Sequence, residues 1–219
     1  MTSLLAPVLL LGLADSLNPV TIAVAVLLAT GERPARRLAT YTFGTGVTYF
    51  LGGVVLTLGP AALLRTAVHH RGGTRTWIAE IVVGVLALGV AAFIVTRPAE
   101  AVSKRVPHEL RPSRSFLLGV GITVVDLPTA LMYFGAIALI VGAVLPIGEQ
   151  LGLLVVFNVA YVAPLIAITV LTAVFGVRAQ PALLRVRDFV ARWGGVLLAA
   201  LTAGSGVYLI FLGVRGLTR

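Results

Sequence analysis

The sequence contains no cysteine, and only 11% of its residues are charged. The missing cysteine excludes disulfide bonds, thiolate metal sites and thiol redox chemistry. The shortage of charge argues against a soluble domain, because a soluble chain of this size needs far more polar surface. Hydrophobic residues make up 58% of the chain, and the mean hydropathy is +1.04. These values are typical of a membrane protein.

The apolar residues lie in long continuous blocks rather than in stripes of helical period. Six blocks are close to or above the about 20 residues that a helix needs to cross a bilayer. The predicted spans cover residues 4–29, 38–58, 78–95, 116–144, 152–175 and 193–214. Because a backbone in lipid must satisfy its own hydrogen bonds, we predict an all-α polytopic membrane protein with whole or broken helices.

The net charge of +9 would suit nucleic acid, but the basic residues are distributed by side of the membrane. One side carries twelve of them: Arg33, Arg36, Arg37, Arg97, Lys104, Arg105, Arg111, Arg114, Arg178, Arg185, Arg187 and Arg192. The other side carries five: Arg65, Arg71, Arg75, Arg215 and Arg219. The positive-inside rule puts the richer side in the cytoplasm and both termini outside. We therefore predict a multi-pass inner (plasma) membrane protein with no nucleic-acid partner, whose basic loops face anionic lipid.

The first span lacks the basic leader of a signal peptide and is too long for one, so we predict a transmembrane helix there. It contains LGLADSLNPVTIA at 11–23, which has a counterpart, LGVGITVVDLPTA, at 118–130. Aligning Pro19 with Pro128 gives an offset of half the chain. Three spans per half is an odd number, which predicts an inverted repeat of the kind found in secondary transporters. The predicted units are a first repeat at 1–96, a cytoplasmic linker at 97–115 and a second repeat at 116–219.

Each copy of the repeated segment places an aspartate shortly before its proline, near the middle of the membrane. Proline removes a helical hydrogen bond, so we predict that helices 1 and 4 are kinked or unwound there. A carboxylate at that depth costs about 2.5–3.5 kcal/mol and must face the interior of the protein. Two asparagines are candidate donors, although an intramembrane asparagine also serves simply to join helices. The candidate site residues are Asp15, Asn18, Pro19, Asp126, Pro128 and Asn158.

Both predicted intramembrane charges are acidic, and no lysine or arginine lies at that depth. An acidic pair suits protons, a monovalent cation or a cationic group, and a proton carrier is the simplest interpretation. Pro164 is predicted to break helix 5 and enlarge the cavity beside Asn158. We predict no metal site and no cofactor, since His69 and His70 lack acidic neighbours. We also predict no enzymatic activity, because all three histidines lie in loops and leave no base at membrane depth.

Six helices, a three-plus-three inverted repeat and a proline-broken helix at the head of each half resemble the LysE transporter superfamily. Within it, Asp15-Ser16-Leu17-Asn18-Pro19, an apolar helix and the arginine-rich turn at 31–37 resemble the peptidoglycolipid-addressing (GAP) family over nearly the whole chain. The resemblance implies an inner-membrane protein that exports or flips a cell-envelope glycolipid or lipid intermediate. The related CcdA-type thiol-electron carriers are excluded, because they need a cysteine in each repeat.

The resulting hypothesis is a lipid transporter coupled to protons or a monovalent cation through Asp15 and Asp126, with membrane lipids as partners. The alternatives are a LysE-type exporter of small amino acids or cations, and a non-transporting membrane adaptor for lipid export. An anionic headgroup would suit a basic cavity, whereas the predicted cavity is acidic. Such a lipid would instead gather at the basic cytoplasmic loops and slide along a lateral groove, which no residue pattern identifies. A unit of this size is also compatible with a homo-oligomer, for which the sequence indicates no interface.

Overall fold

The computed structural model describes residues 2–30, 33–59, 74–96, 111–127 and 130–218. Within these ranges the chain is helical and contains no β-strand. The α-helices, in chain order, are α1 (Thr2–Asp15), α2 (Pro19–Leu28), α3 (Pro34–Leu58), α4 (Thr74–Thr96), α5 (Pro112–Asp126), α6 (Leu131–Gly142), α7 (Ile147–Phe175) and α8 (Gln180–Leu217). A 3-10 turn, Gly176–Ala179, joins α7 to α8. The predicted all-α class is confirmed for this part of the chain.

Three of the described helices, α3, α7 and α8, are long and apolar enough to cross a membrane. The number rises to five when the bent pairs α1–α2 and α5–α6 are each counted as one span. The chain is therefore a multi-pass membrane protein. The remaining predicted span, the third (78–95), corresponds to α4, and its crossing of the membrane stays a prediction.

The predicted breaks in the first and fourth spans are present as sharp bends. Helices α1 and α2 meet at 62°, and helices α5 and α6 meet at 77°. Pro19 is the first residue of α2, a position where the missing N–H group would have had no helical partner. The first span is thus interrupted at residues 16–18 rather than only kinked. Pro128 lies outside the described residues, so its contribution to the second bend stays a prediction.

Two sequence-based expectations about the second half are wrong. Helix α7 continues through Pro164, so this proline does not break the fifth span. The region 180–192, predicted as a loop, forms the first turns of α8. Its alanine, leucine and arginine residues favour a helix, and Leu183 and Val190 are buried against the bundle. The 38 residues of α8 extend about 57 Å at about 1.5 Å per residue, beyond a hydrocarbon core of about 30 Å.

The helices pack as α1 on α7, α5 on α3, α3 on α7, and α4 on α8. Glycines permit the closest approaches, as is usual for helices in a membrane. A Cβ atom at Gly12 of α1 would lie 2.7 Å from the Phe157 carbonyl oxygen of α7. A Cβ atom at Gly119 of α5 would lie 2.5 Å from the Tyr41 carbonyl oxygen of α3. These contacts bring the two broken helices against the long straight ones.

Candidate functional site

Asn18 connects the two broken helices. Its Oδ1 atom caps α2 by accepting hydrogen bonds from the backbone N–H groups of Val20 (3.0 Å) and Thr21 (3.2 Å). Its Nδ2 atom donates to Oδ2 of Asp126 at 2.7 Å. Asp126 is the last residue of α5, next to the second bend. One side chain therefore joins the break of the first half to the break of the second.

Asp15 lies on the other side of the first break, as the last residue of α1. Only 4% of its surface is exposed. Its Oδ2 atom accepts a hydrogen bond of 2.9 Å from the hydroxyl of Tyr49, in the middle of α3. A buried carboxyl group needs such a donor, because water cannot reach it to solvate it. This bond fixes the end of α1 to α3.

Tyr49 belongs to a cluster of buried tyrosines that the sequence-based predictions did not include. Four of the five tyrosines, Tyr41, Tyr49, Tyr133 and Tyr161, are at most 2% exposed. The ring of Tyr49 stacks on that of Tyr161, with centroids 4.0 Å apart, and meets the edge of the Tyr133 ring at 4.7 Å. The hydroxyl of Tyr133 donates to the Tyr49 carbonyl oxygen, and that of Tyr41 donates to the Thr21 carbonyl oxygen at 3.3 Å. The cluster therefore holds α3 against α2, α6 and α7.

A signal for this cluster was present in the sequence. Tyrosines of membrane helices concentrate at the two interfaces, where their hydroxyls reach water. Tyr49 lies instead near the middle of the predicted span 38–58. A hydroxyl at that depth needs a protein partner, and a carboxylate predicted at the same depth was the obvious acceptor. Depth alone could thus have suggested the pair of Tyr49 and Asp15.

The first break is enclosed by protein rather than by lipid. Ser16 is 5% exposed, and its hydroxyl donates to the Leu13 carbonyl oxygen at 2.6 Å. The backbone of α8 passes so close that a Cβ atom at Gly194 would lie 2.8 Å from the Leu17 carbonyl oxygen. Non-helical backbone at membrane depth is tolerated when protein surrounds it in this way. The interruption of the first span is therefore an ordered part of the folded protein.

Asn158 lies on α7 and bonds to the backbone of α3. Its Nδ2 atom donates to the Gly46 carbonyl oxygen at 3.0 Å, so it joins α7 to α3. Its Oδ1 atom is buried and has no hydrogen-bond partner. The sequence left two roles open for Asn158: donor to a carboxylate, or link between helices. In the structure it links two helices.

The site can change its charge without a metal ion. In the part of the chain that the structure describes, no group of three His, Asp or Glu side chains could hold a metal. Two donors to these carboxyl groups, the Tyr49 hydroxyl and the Asn18 amide, are neutral. Binding of a proton or a monovalent cation to a carboxyl group would change the charge at the point where the helices break.

A comparison with known protein families matches nearly the whole chain. The family described as Sap, sulfolipid-1-addressing protein, matches the chain over residues 8–215. No curated protein and no solved structure matches significantly. The matched range includes both helix breaks, the tyrosine cluster and every described helix from α2 to α7. It also agrees with the resemblance to a glycolipid-addressing family that the motif at 15–19 indicates. The chain therefore belongs to the sulfolipid-1-addressing protein family.

Proposed function

We propose that this protein is a transporter that exports or flips an envelope glycolipid or lipid intermediate, without altering it chemically. The family name describes the addressing of a sulfolipid, and the apolar helices make the chain a membrane protein. The observation that carries the proposal is the hydrogen bond between Asn18 and Asp126. It connects two interrupted helices through a group whose charge can change. Ionisable groups beside discontinuous helices are typical of the coupling sites of secondary transporters.

The proposal includes six spans in a three-plus-three inverted repeat. Helix α1 packs on α7, and helix α5 packs on α3, so each broken helix packs on the middle helix of the other half. A two-fold axis in the membrane plane would produce this exchange. Alternating access would then be a movement of α1–α2 and α5–α6 relative to the pair α3 and α7.

Coupling of transport to a proton gradient would follow from the strength of the hydrogen bond between Asn18 and Asp126. A hydrogen bond to a charged group contributes about 1.5–3 kcal/mol, whereas one between neutral groups contributes about 0.5–1.5 kcal/mol. Protonation of Asp126 would therefore weaken the link between the two breaks by about 1 kcal/mol. A proton gradient would thus favour different arrangements of the broken helices on the two sides of the membrane.

The test is transport in proteoliposomes that contain the purified protein, with a fluorescent sulfated or phosphorylated glycolipid and, separately, a cationic amino acid. Each cargo is measured with and without a proton gradient. We expect gradient-stimulated lipid movement, and we expect D15N and D126N to lower it roughly tenfold. The matched control is D188N, because Asp188 is an exposed carboxylate paired with Arg187 on the surface.

The other outcomes separate the alternatives. Movement of the amino acid alone would favour a small-solute exporter. The observation that supports this alternative is the pair of acidic side chains, Asp15 and Asp126, at the helix breaks. No movement of either cargo would favour an adaptor. Lipid movement that D15N and D126N leave unchanged would rule out coupling through these carboxylates.

A further inference from the structure

A lateral groove with a volume of about 560 Å³ runs between α3 and α7. Its walls extend from Ala39 to Leu51 on α3 and from Val155 to Val170 on α7. We call it the α3–α7 groove. Its volume lies within the about 300–1,000 Å³ of typical small-molecule sites. It is separate from the carboxyl groups at the helix breaks, which are not part of its walls.

The groove opens to the outside of the helix bundle. Phe43, Leu51 and Val159 line it and are 66%, 55% and 57% exposed. In a membrane protein, side chains exposed at this depth face lipid. The groove is therefore accessible from the bilayer without any opening of the bundle.

The wall of the groove offers little to a polar ligand. Its polar side chains are Thr42, Asn158 and Thr169. The hydroxyl of Thr169 donates to the Leu165 carbonyl oxygen at 2.7 Å and lies 3.4 Å from the hydroxyl of Thr42. The amide nitrogen of Asn158 is bonded to Gly46, and its oxygen is buried. Because these polar groups are hydrogen-bonded or buried, the surface of the groove is apolar and suits a hydrocarbon chain.

The length of the groove fits one acyl chain. Twelve residues of α3 separate its two ends, which is about 18 Å at about 1.5 Å per residue. One leaflet contributes roughly half of a hydrocarbon core of about 30 Å. An acyl chain extended through one leaflet, about 15 Å long, would therefore occupy most of the groove.

Positive charge lies beyond one end of the groove. Arg36 is one helical turn before Ala39, and it is exposed. Arg178 follows Val170, beyond the end of α7, and it is also exposed. Since Thr42 meets Thr169 near this end, both arginines belong to the same end of the groove. An anionic headgroup placed there would find basic partners while its chain lay in the groove.

We propose that the α3–α7 groove binds an acyl chain of an anionic lipid, with the headgroup beside Arg36 and Arg178. The inference rests on the proposed function in taking this lipid as the cargo. It explains how a protein with an acidic centre handles a negatively charged headgroup: the headgroup stays at the basic end of the groove. The carboxyl groups then act on the helices and not on the lipid.

Photolabelling of the full-length protein in phosphatidylcholine vesicles tests this directly. The probe is phosphatidylglycerol with a diazirine near the end of one acyl chain, and labelled peptides are identified by mass spectrometry. We expect label on α3 and α7 at the Leu51–Val155 end of the groove. V159W fills the groove and should lower this label roughly tenfold. V207W is the matched control, because Val207 is 58% exposed on α8 and is not part of the groove.

A second comparison tests the basic end. The double substitution R36Q and R178Q should lower labelling by the phosphatidylglycerol probe roughly tenfold more than labelling by the matching phosphatidylcholine probe. R215Q, at the other end of α8, should change neither probe. The proposed acyl-chain site would be overturned by label spread evenly over the exposed faces of α3, α7 and α8. Equal label in V159W and V207W would also overturn it. If the label is specific but the protein moves no lipid in proteoliposomes, the proposed transport is overturned and the proposed acyl-chain site is supported.

Discussion

Asn18 uses both ends of its side-chain amide at the first helix break. The oxygen caps α2, and the nitrogen holds Asp126. Aspartate is as good an N-cap as asparagine, but its carboxylate cannot donate a hydrogen bond. The two roles of Asn18 can therefore be separated by a substitution that changes one functional group.

N18D should keep the cap of α2 and lose the bond to Asp126. It also places two carboxylates in contact, so we expect a loss of about 1–3 kcal/mol of stability. Adding D126N should restore a donor–acceptor pair with the amide on the opposite side. Thermal unfolding in detergent of the wild type, N18D, D126N and the double variant measures this coupling. A double variant no more stable than N18D would show that the bond between the breaks contributes nothing.

Y49F tests the second bond of the site. The substitution removes the hydroxyl that donates to Asp15 and leaves the stacked rings in place. We expect a loss of about 1–3 kcal/mol, because a buried acceptor loses its partner. The control is Y208F, since Tyr208 is 61% exposed on α8. Equal unfolding temperatures for the two variants would contradict the importance of this contact.

At the scale of the helices, proline alone does not decide where a span breaks. Pro7 lies inside α1 and Pro164 inside α7, and both helices continue through them. Pro19 begins a new helix because Asn18, immediately before it, supplies the N-cap. In the first span the interruption therefore goes with the pair Asn18-Pro19, and not with Pro7 in the same apolar run.

Close packing between helices gives a further prediction. In G12A, the added methyl group of α1 would press on the Phe157 carbonyl oxygen of α7, so we expect a loss of about 1–3 kcal/mol. In G121A, the methyl group enters open space, with no atom within 4 Å. Alanine is the better helix former by about 1 kcal/mol, so G121A should be neutral or stabilising. Urea or thermal unfolding in detergent compares the two, and equal losses would show that α1 does not depend on this contact.

For the whole molecule, the absence of cysteine provides a direct test of orientation. The distribution of basic loops predicts that R178C lies in the cytoplasm and that T218C lies outside. A membrane-impermeant maleimide should then label T218C in intact cells and label R178C only after permeabilisation. R36C should behave like R178C, because both lie at the arginine-rich end of the groove. The reverse pattern would invert the proposed topology.

The sequence by itself determined the all-helical membrane class, predicted a kink or an interruption at Pro19, and singled out Asp15, Asn18 and Asp126 as candidate site residues. Hydropathy and the cost of a charge in lipid are local properties, so they can be read along the chain. The motif at 15–19 also indicated a glycolipid-addressing family, which the match over residues 8–215 confirms.

Only the tertiary structure decided which groups meet: Asn18 with Asp126, Tyr49 with Asp15, and Asn158 with Gly46. The α3–α7 groove is likewise a product of packing. The physical reason is that lipid is as apolar as a protein core, so a membrane helix can be apolar on every side. Its hydrophobic pattern then does not reveal which side faces a neighbouring helix. The glycines and buried polar groups that select the partner act only when the helices are already packed together.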